Sequence, residues 1–214
     1  AIIEDNNTPP TAVANAPDSL NCINTQITIN GNGSSSGSGY TYLWTTGDGT
    51  IVSNETTLTP TISATGTYQI LVTSPDGCTQ IAEVTVGENI TSPLSDAGLE
   101  MVIDCGTTVI SLDGSNSSSG ANFIYEWQNS IGDSLGNDVL LNVADPDTYT
   151  LIVTDNSNGC TQFSTVTINQ DITPPTADAG TGGILSCTAT SITLDGSNSS
   201  QGGFNYDWFN YNNT

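Results

Sequence analysis

The run Tyr40-Thr41-Tyr42-Leu43-Trp44-Thr45-Thr46-Gly47-Asp48-Gly49 decides how this chain folds. Its β-branched and aromatic residues alternate with a period of two, and it stops on a Gly-Asp-Gly turn. It therefore reads as a β-strand that drops a tryptophan into a core. The signature returns as Tyr125-Glu126-Trp127 and Tyr206-Asp207-Trp208, the tryptophans standing 83 and 81 residues apart.

Other markers keep the same step. Leu112-Asp113-Gly114-Ser115-Asn116-Ser117-Ser118 recurs at Leu194 to Ser200, with Ile29 to Ser35 a looser copy. Gly77-Cys78 returns as Gly159-Cys160, and Thr67-Tyr68 as Thr148-Tyr149. Prolines mark the joints at Thr8-Pro9-Pro10, Ser92-Pro93 and Thr173-Pro174-Pro175, each forcing an extended, rather stiff connection. The unit is about 82 residues long. We divide the chain into 1–8, the last strand of a preceding repeat with its linker; 9–91, repeat 1; 92–173, repeat 2; and 174–214, an incomplete repeat 3. Ala1 to Asn6 aligns with Thr85 to Asn89 and with Thr167 to Asp171, so the expectation is a window cut from a longer array. The alternative is a complete protein whose half-domain is finished by a partner.

Within one unit, Gln26 to Ile29, Tyr40 to Trp44, Thr67 to Thr73 and Ile81 to Val86 alternate as strands between short turn clusters. No segment keeps a helical period. The expected fold is all-β: tandem immunoglobulin-like β-sandwiches of about seven strands each, arranged end to end.

Composition narrows the chemistry. Asp and Glu number 22 against no Lys, Arg or His, giving a formal charge of -22. Phosphate neutralisation needs cationic side chains, so nucleic acid and anionic membrane surfaces are not expected partners. A histidine base, a Schiff-base lysine, a P-loop and an arginine clamp are absent by composition, and the chain is not expected to be an enzyme. Carboxylate pairs occur everywhere in so acidic a sequence and single out no glycosidase site. No stretch approaches the apolar length of a membrane helix.

Trp44 to Gly49, Thr65-Gly66-Thr67-Tyr68, Val72-Thr73 and Asp76-Gly77-Cys78 together resemble the PKD-type immunoglobulin-like repeat. The cysteine-bearing form is similar to repeats of long cell-surface and adhesin proteins of Bacteroidota. The resemblance implies an extracellular or cell-surface protein with a spacer, adhesive or accessory role. Repeat 2 departs from it, with Trp127-Gln128-Asn129-Ser130-Ile131-Gly132-Asp133 where Gly-Asp-Gly is expected, so no role of that loop carries over.

Five cysteines without CxxC spacing point to disulfides rather than zinc. Cys22, Cys105 and Cys187 precede the second strand of their units, while Cys78 and Cys160 follow the sixth. In an immunoglobulin-like sandwich these positions lie at opposite ends of one module, about 20 Å apart, whereas bridgeable Cα atoms lie within roughly 7 Å. The expected bond is therefore an inter-module pair, Cys22 with Cys160. Cys78, Cys105 and Cys187 would find partners outside this window. Bridges within a unit, and free thiols, are the alternatives.

The same topology gathers acidic and amide oxygens at the joints: Glu88, Asp96, Asp113, Asn116 and Asp155 at the second, and Asp171, Asp178, Asp195 and Asn198 at the third. Oxygen ligands of this kind suit Ca²⁺, though Asp-Gly and Asn-Gly are also ordinary turn residues. Sequons at Asn6, Asn32, Asn54, Asn89, Asn116, Asn198 and Asn212 make glycans a further expectation. The functional expectation is a structural repeat region of an extracellular fibre, filament or adhesin stalk, its partner being itself through neighbouring repeats or homopolymer contacts. The alternative is a set of accessory carbohydrate- or protein-binding modules in a large secreted protein.

Overall fold

A computed structural model describes residues 8–210. The expected N-terminal strand of Ala1 to Asn6 lies outside the described residues, as do the sequons at Asn6 and Asn212. The first module comprises β1 (Leu20–Asn21), β2 (Ile27–Thr28), β3 (Thr41–Thr46), β4 (Ile51–Ser53), β5 (Thr61–Ile62), β6 (Gly66–Thr73), β7 (Thr79–Val86) and β8 (Glu88–Asn89). The second comprises β9 (Met101–Asp104), β10 (Ile110–Asp113), β11 (Phe123–Gln128), β12 (Ser134–Gly136), β13 (Leu140–Val143), β14 (Asp147–Asp155) and β15 (Cys160–Asp171).

Each module is a sandwich of two sheets. In the first, β3-β6-β7 faces β2-β5-β4, and in the second, β12-β11-β14-β15-β9 faces β10-β13. Alternation along β6 sends Tyr68, Ile70 and Val72 inward, and along β14 it sends Tyr149, Leu151 and Val153 inward. They meet Trp44 in one core and Trp127 in the other, and the two cores are separate clusters. Both indoles are fully buried and donate to a carbonyl: Trp44 Nε1 to Thr57 O at 3.0 Å, Trp127 Nε1 to Asp138 O at 3.1 Å. Each module also has a tyrosine corner, Tyr68 Oη donating to Ala64 O at 2.6 Å and Tyr149 Oη to Asp145 O at 2.8 Å.

The recurring Ser-Ser pairs are clips. Ser34 Oγ accepts the Val13 N–H and donates back to Val13 O, at 2.9 and 3.3 Å. Ser117 does the same to Asp96, at 2.9 and 3.2 Å, and Ser199 to Asp178, at 2.9 and 3.0 Å. All three serines are buried, so the segment after each proline joint is pinned to the turn that carries its serine.

The loop that departs from the resemblance moves a strand. In the first module Asp48 Oδ1 accepts the Thr67 N–H at 2.9 Å, which ties the Gly-Asp-Gly loop to the start of β6, and β4 pairs with β5. In the second, Ser130 N–H donates to Asp147 Oδ2 at 3.2 Å, and β12 joins β11 in the opposite sheet.

Residues 174–210 hold no regular strand. They keep the serine clip and the Tyr206 hydroxyl bond to Ser200 O, matching Tyr42 to Ser35 O and Tyr125 to Ser118 O. Trp208, however, is 54% exposed. Trp44 and Trp127 are covered by the strands β6 and β14 pairing alongside, and residues 174–210 contain no counterpart of those strands.

Candidate functional site at the seam between the modules

A disulfide joins Cys22, just past β1, to Cys160, the first residue of β15, with Cα atoms 5.1 Å apart. The linker leaves the first module along β8, which pairs in parallel with β1 through Leu20–Glu88 and Asn21–Asn89. The bond and the linker therefore reach the second module side by side.

Asn158 organises the space between them. It is almost fully buried, and its Nδ2 donates to Asn89 Oδ1 at 3.1 Å, at the end of β8, and to Thr91 O at 2.9 Å, in the linker. Its Oδ1 accepts the Cys160 N–H at 2.9 Å, and its backbone carbonyl accepts the Cys22 N–H at 3.1 Å. Among the described residues no buried side-chain polar atom lacks a partner. Beside it, Gly159 has φ of 71°, a left-handed value that favours glycine, and Ile23 lies over the face where a Cβ would stand.

The turn that presents Cys22 is built three times. Asn21 Oδ1 accepts the N–H groups of Ile23 and Asn24 at 3.0 and 2.7 Å, and Asn21 N–H closes on Asn24 O at 3.0 Å. Around Cys105, Asp104 Oδ1 takes Gly106 and Thr107 at 2.8 and 2.6 Å, with Asp104 N–H on Thr107 O at 3.1 Å. Around Cys187, Ser186 Oγ takes Thr188 and Ala189 at 3.3 and 3.1 Å, with Ser186 N–H on Ala189 O at 2.9 Å. Three different side chains, each with a short acceptor, hold one geometry. Cys105 and Cys187 are exposed thiols. Cys78 is half-buried in the turn after β6, where its N–H donates to Ser74 Oγ at 3.1 Å.

The acidic residues are turned to their own backbone. Asp96 Oδ1 accepts Gly98 N–H, Asp113 accepts Ser115, Asp155 accepts Ser157, Asp171 accepts Thr173, Asp178 accepts Gly180, and Asp195 accepts Ser197. Glu88, Asn116 and Asn198 are exposed. Among the described residues no three His, Cys, Asp or Glu side chains come together closely enough to hold a metal ion. Backbone donors, Thr107 first and then Gly106, hold the Asp104 carboxyl below its ordinary range. The N–H and hydroxyl of Thr173 do the same for Asp171, opposed by the Asp104 carboxylate, its register partner across β9 and β15. The Ser115 hydroxyl and N–H lower Asp113, and those of Ser197 lower Asp195.

Sequence reasoning singled out both bonded cysteines but not Asn158 or Ile23. Asn158 reads as one more turn residue before Gly-Cys. Its only mark is that repeat 1 has Asp76 there, an acceptor where the seam uses a donor.

Residues 7–87 match the family model of the PKD domain. No curated protein matches the chain. Among solved structures, the chain is similar to the three N-terminal domains of the highly immunogenic outer capsid protein of bacteriophage RB49, with 16% identity and a TM-score of 0.44, covering 76% of this chain and 59% of that one. It is also similar to a three-immunoglobulin-domain segment of titin, with 11% identity and a TM-score of 0.41, covering 74% and 62%. A third is the fibronectin(III)-like modules of Clostridium thermocellum CbhA, with 16% identity and a TM-score of 0.34, covering 75% and 95%. The chain thus spans about three-fifths of the length of the first two. The chain is a tandem of immunoglobulin-like sandwiches, and the PKD domain model matches the first of them.

Proposed function

We propose that this chain is a structural repeat segment of an extracellular fibre, filament or adhesin stalk. The observation that carries the reading is the covalent seam. A bond placed between modules, backed by a buried amide that grips the linker, fixes how one module stands on the next and builds no cleft. Disulfides persist in oxidising compartments, which supports a segment that works outside the cytosol. Cys105 and Cys187, presented on copies of the Cys22 turn, continue the seam to modules that carry a Gly-Cys turn like Gly159-Cys160. The uniform negative charge keeps such an array soluble, and trypsin-like proteases find no Lys or Arg to cut.

Electron microscopy of the native material tests the proposal. A filament or stalk with an axial period of one or two modules is the expected result. Compact particles without such a period, or modules appended to a large catalytic body, would overturn it.

A further inference from the structure

We propose that the Cys22–Cys160 bond is a bypass for tension, which makes the two modules a strut that cannot be drawn out while the bond is closed. The inference starts from connectivity. The bond joins residues 138 positions apart, and the enclosed stretch contains β2 to β14, nearly all of both sandwiches. A pull on the two ends of the chain travels from the leading segment to Cys22, crosses the sulfurs, and leaves through β15. Residues 23–159 lie off this covalent route, so the load cannot draw them out while the bond is closed.

The route itself is already taut on the far side. β15 is one 12-residue strand in extended form, and at about 3.3 Å per residue it has almost no slack to give. Tension along it falls on covalent bonds, while its ladders to β14 and β9 need not break. On the near side the leading segment is pinned along its length, through Thr11 N–H to Ser35 Oγ, the Val13–Ser34 clip, and the paired bonds between Asn15 and Asn30. A disulfide closed inside each module would shield only that module and leave the linker between them as the weak point. Here the linker Ile90 to Ser92 is itself inside the protected loop. The biological use of such a bypass rests on the stalk reading above, but the mechanics belong to the bond and are tested on the isolated chain.

The experiment is single-molecule stretching of the full chain, held at its two termini, oxidised and then in dithiothreitol, with the Cys22→Ser/Cys160→Ser double variant alongside. Releasing 138 residues lengthens the fully extended molecule by roughly 450–500 Å, at 3.3–3.6 Å per residue. The expected result is that the reduced chain and the double variant both exceed the oxidised chain by this amount. The final extended length does not depend on folding, so a variant that fails to fold still gives a valid comparison. An oxidised chain that reaches the same length as the double variant would overturn the proposal. Failure of the stalk reading, by contrast, would leave this length difference intact.

Discussion

Asn158 reaches across the seam to Asn89, side-chain amide to side-chain amide at 3.1 Å, and in doing so takes the one orientation that also satisfies Thr91 and Cys160. Replacing it with the residue repeat 1 uses, Asn158→Asp, removes both donated bonds and points a carboxylate at two acceptors. No cationic side chain exists in the sequence to compensate. The expected loss is about 1–3 kcal/mol, more than for Asn158→Ala, which leaves acceptors unmatched but buries no charge. Burial raises the folded carboxyl pKa in the variant, so its deficit is full at neutral pH and shrinks as the pH falls through that value. Thermal melts of wild type, Asn158→Asp and Asn158→Ala at pH 7 and pH 4.5 read this directly, and an aspartate deficit equal at both pH values would contradict the assignment.

Gly159 and Gly77 occupy equivalent turns, with φ of 71° and 87°, but only Gly159 has a neighbour over its open face. Alanine at Gly77 meets nothing within 4 Å and carries only the backbone penalty, roughly 1–2 kcal/mol. Alanine at Gly159 carries that penalty and also collides with Ile23, so it should be clearly worse and should slow re-formation of the Cys22–Cys160 bond after reduction. Adding Ile23→Ala should recover the collision part and leave the backbone part. Equal effects of the two glycine variants would mean that the Ile23 contact is not formed in solution.

What the sequence made legible was whatever repeats. The Tyr-x-Trp strand, the Gly-Cys turn and the Ser-Ser run each recur, and in the two sandwiches each maps to one place. Alternation located β3, β6 and β7 closely, whereas Gln26 to Ile29 shrank to the two-residue β2 because its ladder is only Ile27–Ile62 and Thr28–Thr61. The seam was half legible. The end-to-end position of the cysteines followed from strand order, but the grip of Asn158 is a contact between residues 67 and 69 positions apart, with no local pattern to announce it. The joint aspartates each accept an N–H group of their own turn, a local pattern that Asp-x-Gly, Asp-x-Ser and Asp-x-Thr spacing already announces.

Trp208 offers a spectroscopic check of the two closed cores. With Trp44 and Trp127 buried and Trp208 54% exposed, acrylamide should quench one indole of three efficiently in the native chain. Trp208→Phe should abolish that fraction and leave the melting of the first two modules unchanged. Trp127→Ala should cost about 3–5 kcal/mol, enough to unfold the second module. Uniform quenching of all three indoles would be incompatible with two closed cores.

Acid should act on this protein in two opposing ways. Asp104, Asp113 and Asp147 of the second module are held below their ordinary pKa by donors that include the Ser130 hydroxyl and N–H at Asp147. A carboxyl whose folded pKa lies below its unfolded value contributes stability above the unfolded pKa, about 3.9, and loses it as the pH falls through the folded value. The net charge of -22 works the other way, since unrelieved repulsion at pH 7 weakens as carboxylates begin to protonate. Melting temperature should therefore rise from pH 7 to a maximum near pH 4–5, then fall steeply below about pH 3.5. Salt at about 0.5 M should raise the pH 7 value and flatten the approach to the maximum, because screening removes the repulsion and leaves the turn bonds. Calorimetry across pH 2–8 at low and high salt separates the two effects, and a melting temperature that drops steadily from pH 7 to pH 4 would show that self-repulsion does not limit the fold.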